Sequence, residues 1–299
     1  MPATVPTKDE FDALAARVTA LEEGGSVPPD PPKPSTGHIV AGWGGWWWNN
    51  DYTALPNVRE PYTYASIPVA QSAAAGSGRV KVDWGGDLAT EIKAWKDRGN
   101  TAILLIGGGN DGGITLTSTQ HVNDMVSSIR GIVDKFGLQG IDWDLESDRW
   151  NPKAMADASA ALRTAYGAQF IVSVSPRPYE MRAGGPYRDF CNAMKDFLYL
   201  VTPQWYDYQE ATNDSQQRSI ILRDVKDFIT VVPQDILMMG CALPSTAWNG
   251  WASSVQTYKN AWADLVSAGI DLAGSQVWTI TGDVRQSYQW ADGMAAVMG

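Results

Sequence analysis

Cysteine and histidine are nearly missing from this chain: each occurs twice in 299 residues. A Ser-His-Asp triad or a histidine-based zinc site would have to use His38 or His121, and neither sits at a nucleophile elbow or in a metal-ligand spacing. Both read as structural or surface histidines, and no metal is expected. A chain of this length builds its core without a covalent staple, so Cys191 and Cys241 are expected as buried free thiols. Positive charge is also scarce. Lys and Arg total 23 against 33 Asp and Glu, a net charge of -10, and no basic stripe interrupts the balance. Phosphate neutralisation needs clustered cations, so nucleic acid is excluded as a partner, and so is docking on an anionic membrane. No apolar run approaches the ~20 residues that span a bilayer. The polar, acidic N-terminus does not read as a signal peptide.

Tryptophan is what the chain has in excess, with fourteen. The run GWGGWWWNND at 42–51 holds four of them. An indole offers a flat apolar face and one polar N–H. A sugar ring has apolar faces and a polar rim, so clustered indoles suit carbohydrate. Core filling is the competing use. Alternation along a strand sends some of these rings to each face, which makes Trp43 and Trp46 candidate sugar contacts.

Three regions follow one another. Residues 7–23 form an amphipathic helix in which Phe11, Leu14, Val18 and Leu21 are spaced 3, 4, 3. Thr7 and Glu10 resemble a capping box, and Gly24-Gly25 ends the element. Residues 1–25 are therefore expected as a short coiled-coil-like stub through which copies of the chain associate. Residues 26–37, SVPPDPPKPSTG, make a semi-rigid Pro-rich linker. From residue 38 to 299, short β-rich runs alternate with helical patterns. The candidate strands are 38–43, 64–70, 101–107, 138–146, 169–175, 198–206, 235–242 and 274–280. Helical patterns at 88–98, 118–136, 152–166, 187–196, 216–228 and 254–268 lie between most of them. That arithmetic predicts the α/β class and a (β/α)8 TIM barrel. An open doubly wound sheet would want a Gly-rich phosphate turn after its first strand. IGGGNDGG at 106–113 follows the third strand and lacks the dinucleotide spacing, so no cofactor is expected.

The fourth run reads GLQGIDWDLES. In a strand, residues i, i+2 and i+4 share a face, so Asp142, Asp144 and Glu146 point one way and Ile141, Trp143 and Leu145 the other. In a barrel the acidic face is the interior, with Glu146 at the C-terminal end where barrel enzymes place their chemistry. Crowded, half-buried carboxylates raise at least one pKa, and a carboxyl held protonated near neutral pH is a general acid. Glu146 is the expected acid, with Asp142 and Asp144 tuning it. A Mg²⁺ or Ca²⁺ site built from two of the carboxylates, or a salt-bridged network, are the competing uses. The network has little support, since Lys135 and Arg149 lie outside the strand.

Gly140-Ile141-Asp142-Trp143-Asp144-Leu145-Glu146 resembles the DxxDxDxE signature of glycoside hydrolase family 18, the chitinase family. LLIGGG at 104–109, with Gly108, is similar to that family's SxGG strand, QWYDY at 204–208 to its sixth-strand motif, and QVWTI at 276–280 to its eighth-strand segment. The resemblance spans 38–299. It implies a retaining reaction in which the substrate's own N-acetyl group attacks the anomeric carbon, an exception to the two-carboxylate rule. By position it makes Glu146 the proton donor and has Asp144 orient the acetamido group. It has Asp142 share a proton or hydrogen bond with Asp144, and Tyr206 bond the acetamido carbonyl. Gln204 and Asp207 would contact the same sugar, and Trp278 would stack beneath it. Three positions depart from the pattern: Gln139 stands at the signature's first Asp, Leu105 at the Ser of SxGG, and Trp43 where the family often has Tyr. Residues 243–273 hold one helical pattern and no inserted lobe, which implies an open cleft and endo action.

The resulting expectation is an endo-acting hydrolase of β-1,4-linked N-acetylglucosamine polymers working outside a cell or on its surface. Peptidoglycan or an N-glycan core are alternative substrates of the same chemistry. A non-catalytic carbohydrate-binding barrel is another alternative, and the stub and linker fit a virion or surface fibre.

Overall fold

The computed structural model describes residues 37–44, 52–84, 87–109, 111–207, 210–246 and 253–299. The expected helix at 7–23, the Pro-rich linker up to residue 36, and Trp46 lie outside the described residues. Among those described, eight parallel strands curl into a barrel. They are β1 (Ile39–Trp43), β2 (Tyr64–Ser72), β4 (Thr101–Gly107), β5 (Gly140–Asp144), β6 (Ile171–Val174), β7 (Leu200–Val201), β8 (Met238–Ala242) and β9 (Gly274–Trp278). The order is β7-β6-β5-β4-β2-β1-β9-β8, and parallel bridges from Val201 to Leu237 and from Gln204 to Gly240 close the ring. A two-residue strand, β3 (Val80–Lys81), pairs antiparallel with the end of β2 and has no counterpart in the sequence expectation.

Among the described residues eight helices follow in chain order: α1 (Leu88–Asp97), α2 (Thr119–Phe136), α3 (Pro152–Tyr166), α4 (Pro186–Met194), α5 (Asp214–Phe228), α6 (Val255–Ser267), α7 (Ile280–Arg285) and α8 (Gln289–Met298). Six match the expected patterns to within two residues, and the last two extend them. Local chemistry sets their ends. Asn151 accepts from the Ala154 N–H with Pro152 at the first helical position, and Ser118 caps α2, which stops at Gly137 in the left-handed region.

The strands are apolar on both faces because both are buried. In β4, Ala102, Leu104 and Ile106 pack outward under the helices, while Ile103 and Leu105 fill the barrel. The interior is layered. Ile39, Ala41, Tyr64, Ile103, Ile171, Leu200 and Met238 close the lower end. Above them Ser66, Asp142, Ser173, Thr202 and Gln276 form a buried polar layer, in which Gln276 Nε2 donates to Ser66 Oγ (3.3 Å) and Thr202 Oγ1 to Gln276 Oε1 (3.3 Å). Trp43, Val69, Leu105, Tyr206 and Ala242 sit nearer the mouth. Gln139 stays at the far end of its strand, where its side-chain oxygen accepts from the Ala102 N–H (3.0 Å). Cys191 and Cys241 are buried free thiols.

Strand β5 is fastened from outside by its own indole: Trp143 Nε1 donates to Ser159 Oγ on α3 (2.9 Å). Ser159→Ala leaves that fully buried N–H without an acceptor and should cost about 1–3 kcal/mol in urea denaturation. A loss below about 0.5 kcal/mol would show that the bond contributes nothing.

Candidate active site

The inward parity of β5 carries Asp142 and Asp144 inside the barrel and Glu146 just past the strand end, at the mouth. Each carboxylate has its own partners, all supplied by other strands. Asp142 is buried deepest. Its Oδ2 accepts from Ser66 Oγ on β2 (2.8 Å), and both its oxygens accept from Ser175 Oγ after β6 (2.9 Å each). Asp144 Oδ1 accepts from Gln204 Nε2 (2.7 Å), whose other N–H is given to the Ser175 carbonyl (2.7 Å). Glu146 lies 3.6 Å from the guanidinium of Arg177, which also donates to the Glu146 backbone carbonyl (2.7 Å) and to Glu180 Oε1 (2.7 Å). The glycines after β4 leave room above this row. A Cβ on Gly108 would stand 3.6 Å from Asp144 Oδ2, and one on Gly109 3.6 Å from Glu146 Oε2.

Burial pushes the Asp142 carboxyl up to about 6, and the Ser66 and Ser175 hydroxyls and the nearby Trp43 indole keep it from rising further. Asp144 is raised well above the carboxylate range, first by burial and then by the charges of Glu146 and Asp142, against the opposing bond from Gln204. Glu146 is raised by burial, and the Arg177 charge pulls it back. Burial and the neighbouring charges thus favour a proton on the Asp144–Glu146 pair, and the Arg177 cation opposes it on Glu146 alone. Two carboxylates in one environment share that proton as a pair.

Several sequence-level roles change. Asp142 makes no hydrogen bond to Asp144, because neighbours two apart along a strand stand roughly 6.6 Å from each other and each is satisfied elsewhere. Gln204 is buried behind Asp144 and fixes that carboxylate. Trp43 is 1 % exposed, so it offers no face to a sugar; its ring supports Tyr206 (centroids 6.0 Å apart, edge-on) and Trp278 (6.1 Å). Tyr206 and half-buried Trp278 do border the mouth together, and Asp207, at φ 52, follows Tyr206 close enough to raise Glu146. His38 Nε2 pairs with Asp271 (2.8 Å) and His121 Nδ1 accepts from Thr117, both away from the carboxylate row. Among the described residues no three His, Cys, Asp or Glu side chains converge as a metal cage requires, and no helix is long and apolar enough to cross a membrane.

The residues that sequence reasoning missed are Ser66, Ser175, Arg177 and Glu180. A parity signal was present for two of them. Ile171 points inward and Val172 and Val174 outward, so 173, 175 and 177 continue the inner face of β6 past its end, as Glu146 does for β5. The cation beside the acids, Arg177, is the second inward position past Ser173.

Comparison with known proteins agrees with this geometry. No family model matches the chain. Exochitinase 1 of Streptomyces olivaceoviridis is 25% identical over 231 residues, covering 63% of this chain and 38% of that protein. The chain spans about half the length of the curated relatives it matches. A family GH18 chitinase from Chromobacterium violaceum superposes with a TM-score of 0.75 at 22% identity over 92% of this chain and 86% of that one. The same fold carries a xylanase and alpha-amylase inhibitor protein from Scadoxus multiflorus, with a TM-score of 0.69 at 18% identity over 87% of this chain and 99% of that one. Fold, signature strand and relatives together support the assignment of the chain to glycoside hydrolase family 18.

Asp142 supplies a pH test. Its native pKa near 6 exceeds the ordinary 3.8, so between those values the folded protein holds a proton that the unfolded chain has released. Stability from this group is present below about pH 4 and lost as pH rises through about 6, a fall on the order of 2–3 kcal/mol. Asp142→Asn should flatten that fall in denaturant titrations at pH 4 and pH 7. An identical pH dependence in both proteins would contradict the assigned shift.

Proposed function

We propose that the chain is a retaining hydrolase of β-1,4-linked N-acetylglucosamine polymers. The observation that carries this reading is the row Asp142–Asp144–Glu146, with only its outermost member facing the mouth and a cation. The fold alone does not decide the matter, since an inhibitor protein shares it. The presence of the acid and of its guanidinium partner favours catalysis over a merely binding barrel.

In the proposed reaction the acetamido group of the sugar above Trp278 lies over Asp144. As the acetamido N–H comes to Asp144 Oδ2, with Gln204 holding Oδ1, the proton that the pair shares passes to Glu146. Glu146 gives a proton to the glycosidic oxygen as the C1–O bond breaks. The N-acetyl oxygen bonds to C1 from the other face and forms an oxazolinium ion. Tyr206 borders the acetamido carbonyl. Ionised Glu146 then takes a proton from water, whose oxygen bonds to C1 as the oxazolinium ring opens, and configuration is retained. Endo action is part of the proposal. It is supported by the segment between β8 and β9, whose described residues hold one helix and no additional strand. Action outside a cell or on its surface follows from a polymeric substrate.

Incubation with chitin oligomers and mass analysis of products tests the reading. Wild type should cleave, and Glu146→Gln should lose on the order of 10²–10⁴-fold in rate. Equal cleavage by both would remove Glu146 from the mechanism, and peptidoglycan fragments as the better substrate would redirect the substrate assignment. Arg177 gives a second, signed outcome. Its charge lowers the Glu146 pKa, so Arg177→Gln should move the alkaline limb of the pH–rate profile upward, whereas Arg177→Lys should hold it near the wild-type position. A limb that stays put in Arg177→Gln would show that the guanidinium does not tune the acid.

A further inference from the structure

Glu146 stands where the sheet no longer holds the chain. Strand β5 ends at Asp144, and its last register partner on β6 is Val174, opposite Trp143. The Ser175 carbonyl, on the chain alongside, is already taken by Gln204. Leu145, between the two outer acids, is nevertheless buried, so its backbone polar groups need partners. One loop amide and three side chains supply them along this stretch. The Gly108 N–H donates to the Asp144 carbonyl (2.6 Å), Trp150 Nε1 to the Leu145 carbonyl (3.1 Å) and Arg177 Nη2 to the Glu146 carbonyl (2.7 Å). The Leu145 N–H donates to the Tyr187 hydroxyl (2.6 Å), which in turn donates to the Trp143 carbonyl (3.4 Å).

Resting on the hydrolase reading above, we propose that Tyr187 is a positioning residue for the reaction: its hydroxyl fixes the peptide between Asp144 and Leu145 and so sets the spacing of Asp144 and Glu146. The phenol is buried and reaches no sugar; it acts through the backbone.

The support is itself braced. Tyr187 lies in the first turn of α4. Gly185 ahead of it lets the loop after β6 close on itself, since a Cβ there would collide with the Glu180 carbonyl. Trp150 packs edge-on against the Tyr187 ring (centroids 4.7 Å apart), so the two groups that grip Leu145 hold each other. Trp150 is anchored in turn by its neighbours: the Leu116 N–H donates to the Arg149 carbonyl (2.8 Å) and the Asn151 N–H to the Leu116 carbonyl (3.0 Å). Burial, and then the charge of Asp144, keep the Tyr187 phenol well above its usual range, so it stays a neutral donor and acceptor.

Spacing matters because the Glu146 charge raises Asp144, and two carboxylates that interact this way titrate as a pair. The other charges facing the pair are Asp142 below it, Asp111 after β4, Arg177 and Glu180 after β6, and Asp207 after β7. Asp142 has its own serine partners, and the Tyr187 hydroxyl is bonded to none of the five. Releasing Leu145 therefore changes the pair within constant surroundings.

Tyr187→Phe keeps the ring against Trp150 and deletes only the hydroxyl. On chitin hexamer kcat should fall about ten- to hundredfold while KM stays within about twofold of wild type. The two limbs of the kcat pH profile should move toward each other, because Glu146 freed from its fixed spacing is less strongly coupled to Asp144. A carbon NMR titration of the Asp144 and Glu146 carboxyls, which needs no substrate, should show the same convergence. Trp150→Phe removes the other grip on Leu145; it should narrow both in the same direction, and it carries the test if Tyr187→Phe does not fold. Ser159→Ala loosens β5 from the helical side without reaching Leu145 and should leave the limbs in place. Unmoved limbs and carboxyl titrations in folded Tyr187→Phe would overturn the proposal. So would an equal narrowing in Ser159→Ala, which would make the effect one of general loosening. If wild type cleaves no oligomer, the hydrolase reading fails by itself, and the carboxyl titration still decides whether Tyr187 sets the spacing.

Discussion

Three carboxylates on the inward face of a single parallel strand set the terms for the rest of the barrel. Strand alternation makes that placement possible, since Ile141, Trp143 and Leu145 satisfy the helical layer from the opposite face. It also means that β5 cannot neutralise its own acids. Every compensating group arrives from elsewhere: hydroxyls from β2 and the end of β6, an amide from the segment after β7, a guanidinium from the loop after β6. Barrel closure is what brings these within reach. The site is thus a property of the ring and not of one segment.

The three acids are treated unequally, and that inequality is the chemistry. Asp142 is surrounded by neutral donors, Asp144 has one amide and three charged neighbours, and Glu146 alone faces a cation. Depth therefore grades the row from a fixed inner member to an outer one that exchanges protons with the cleft. The arrangement works against folding stability, because buried acids are easier to hold protonated than ionised. The apolar layers above and below, and the indole bond from Trp143 to Ser159, hold the strand in place despite it.

Much of the fold was legible because each barrel strand is a short apolar run bounded by turn residues, and each is buried on both faces. Helix ends were legible for similar reasons, as with Asn151-Pro152 and Gly137. The seventh element of the sheet was overestimated: 198–206 reads as one run, yet β7 is two residues long, and Pro203, which has no N–H to donate, breaks the remainder of the run. In the site, the acids were legible because strand periodicity fixes their parity. Their partners were not, because a hydroxyl on β2 and a guanidinium after β6 have no sequence relation to β5. Trp43 was misjudged for the converse reason. Alternation says which way a ring points and not how deeply the neighbouring Trp278 and Tyr206 cover it.

Leu105 sits in register beside Asp142, where the family pattern has a serine, and it is wholly buried among apolar groups. The hydroxyls that Asp142 needs are nevertheless both there, on Ser66 and Ser175. A comparison made column by column scores position 105 as a loss. A comparison made by which donors stand around a given oxygen scores no loss at all. What persists in that sense is a point in space with a required chemistry, and the chain can occupy it from either of two strands. Distant members of such a fold are therefore better sought by the environment of the second acid than by the letters beside it.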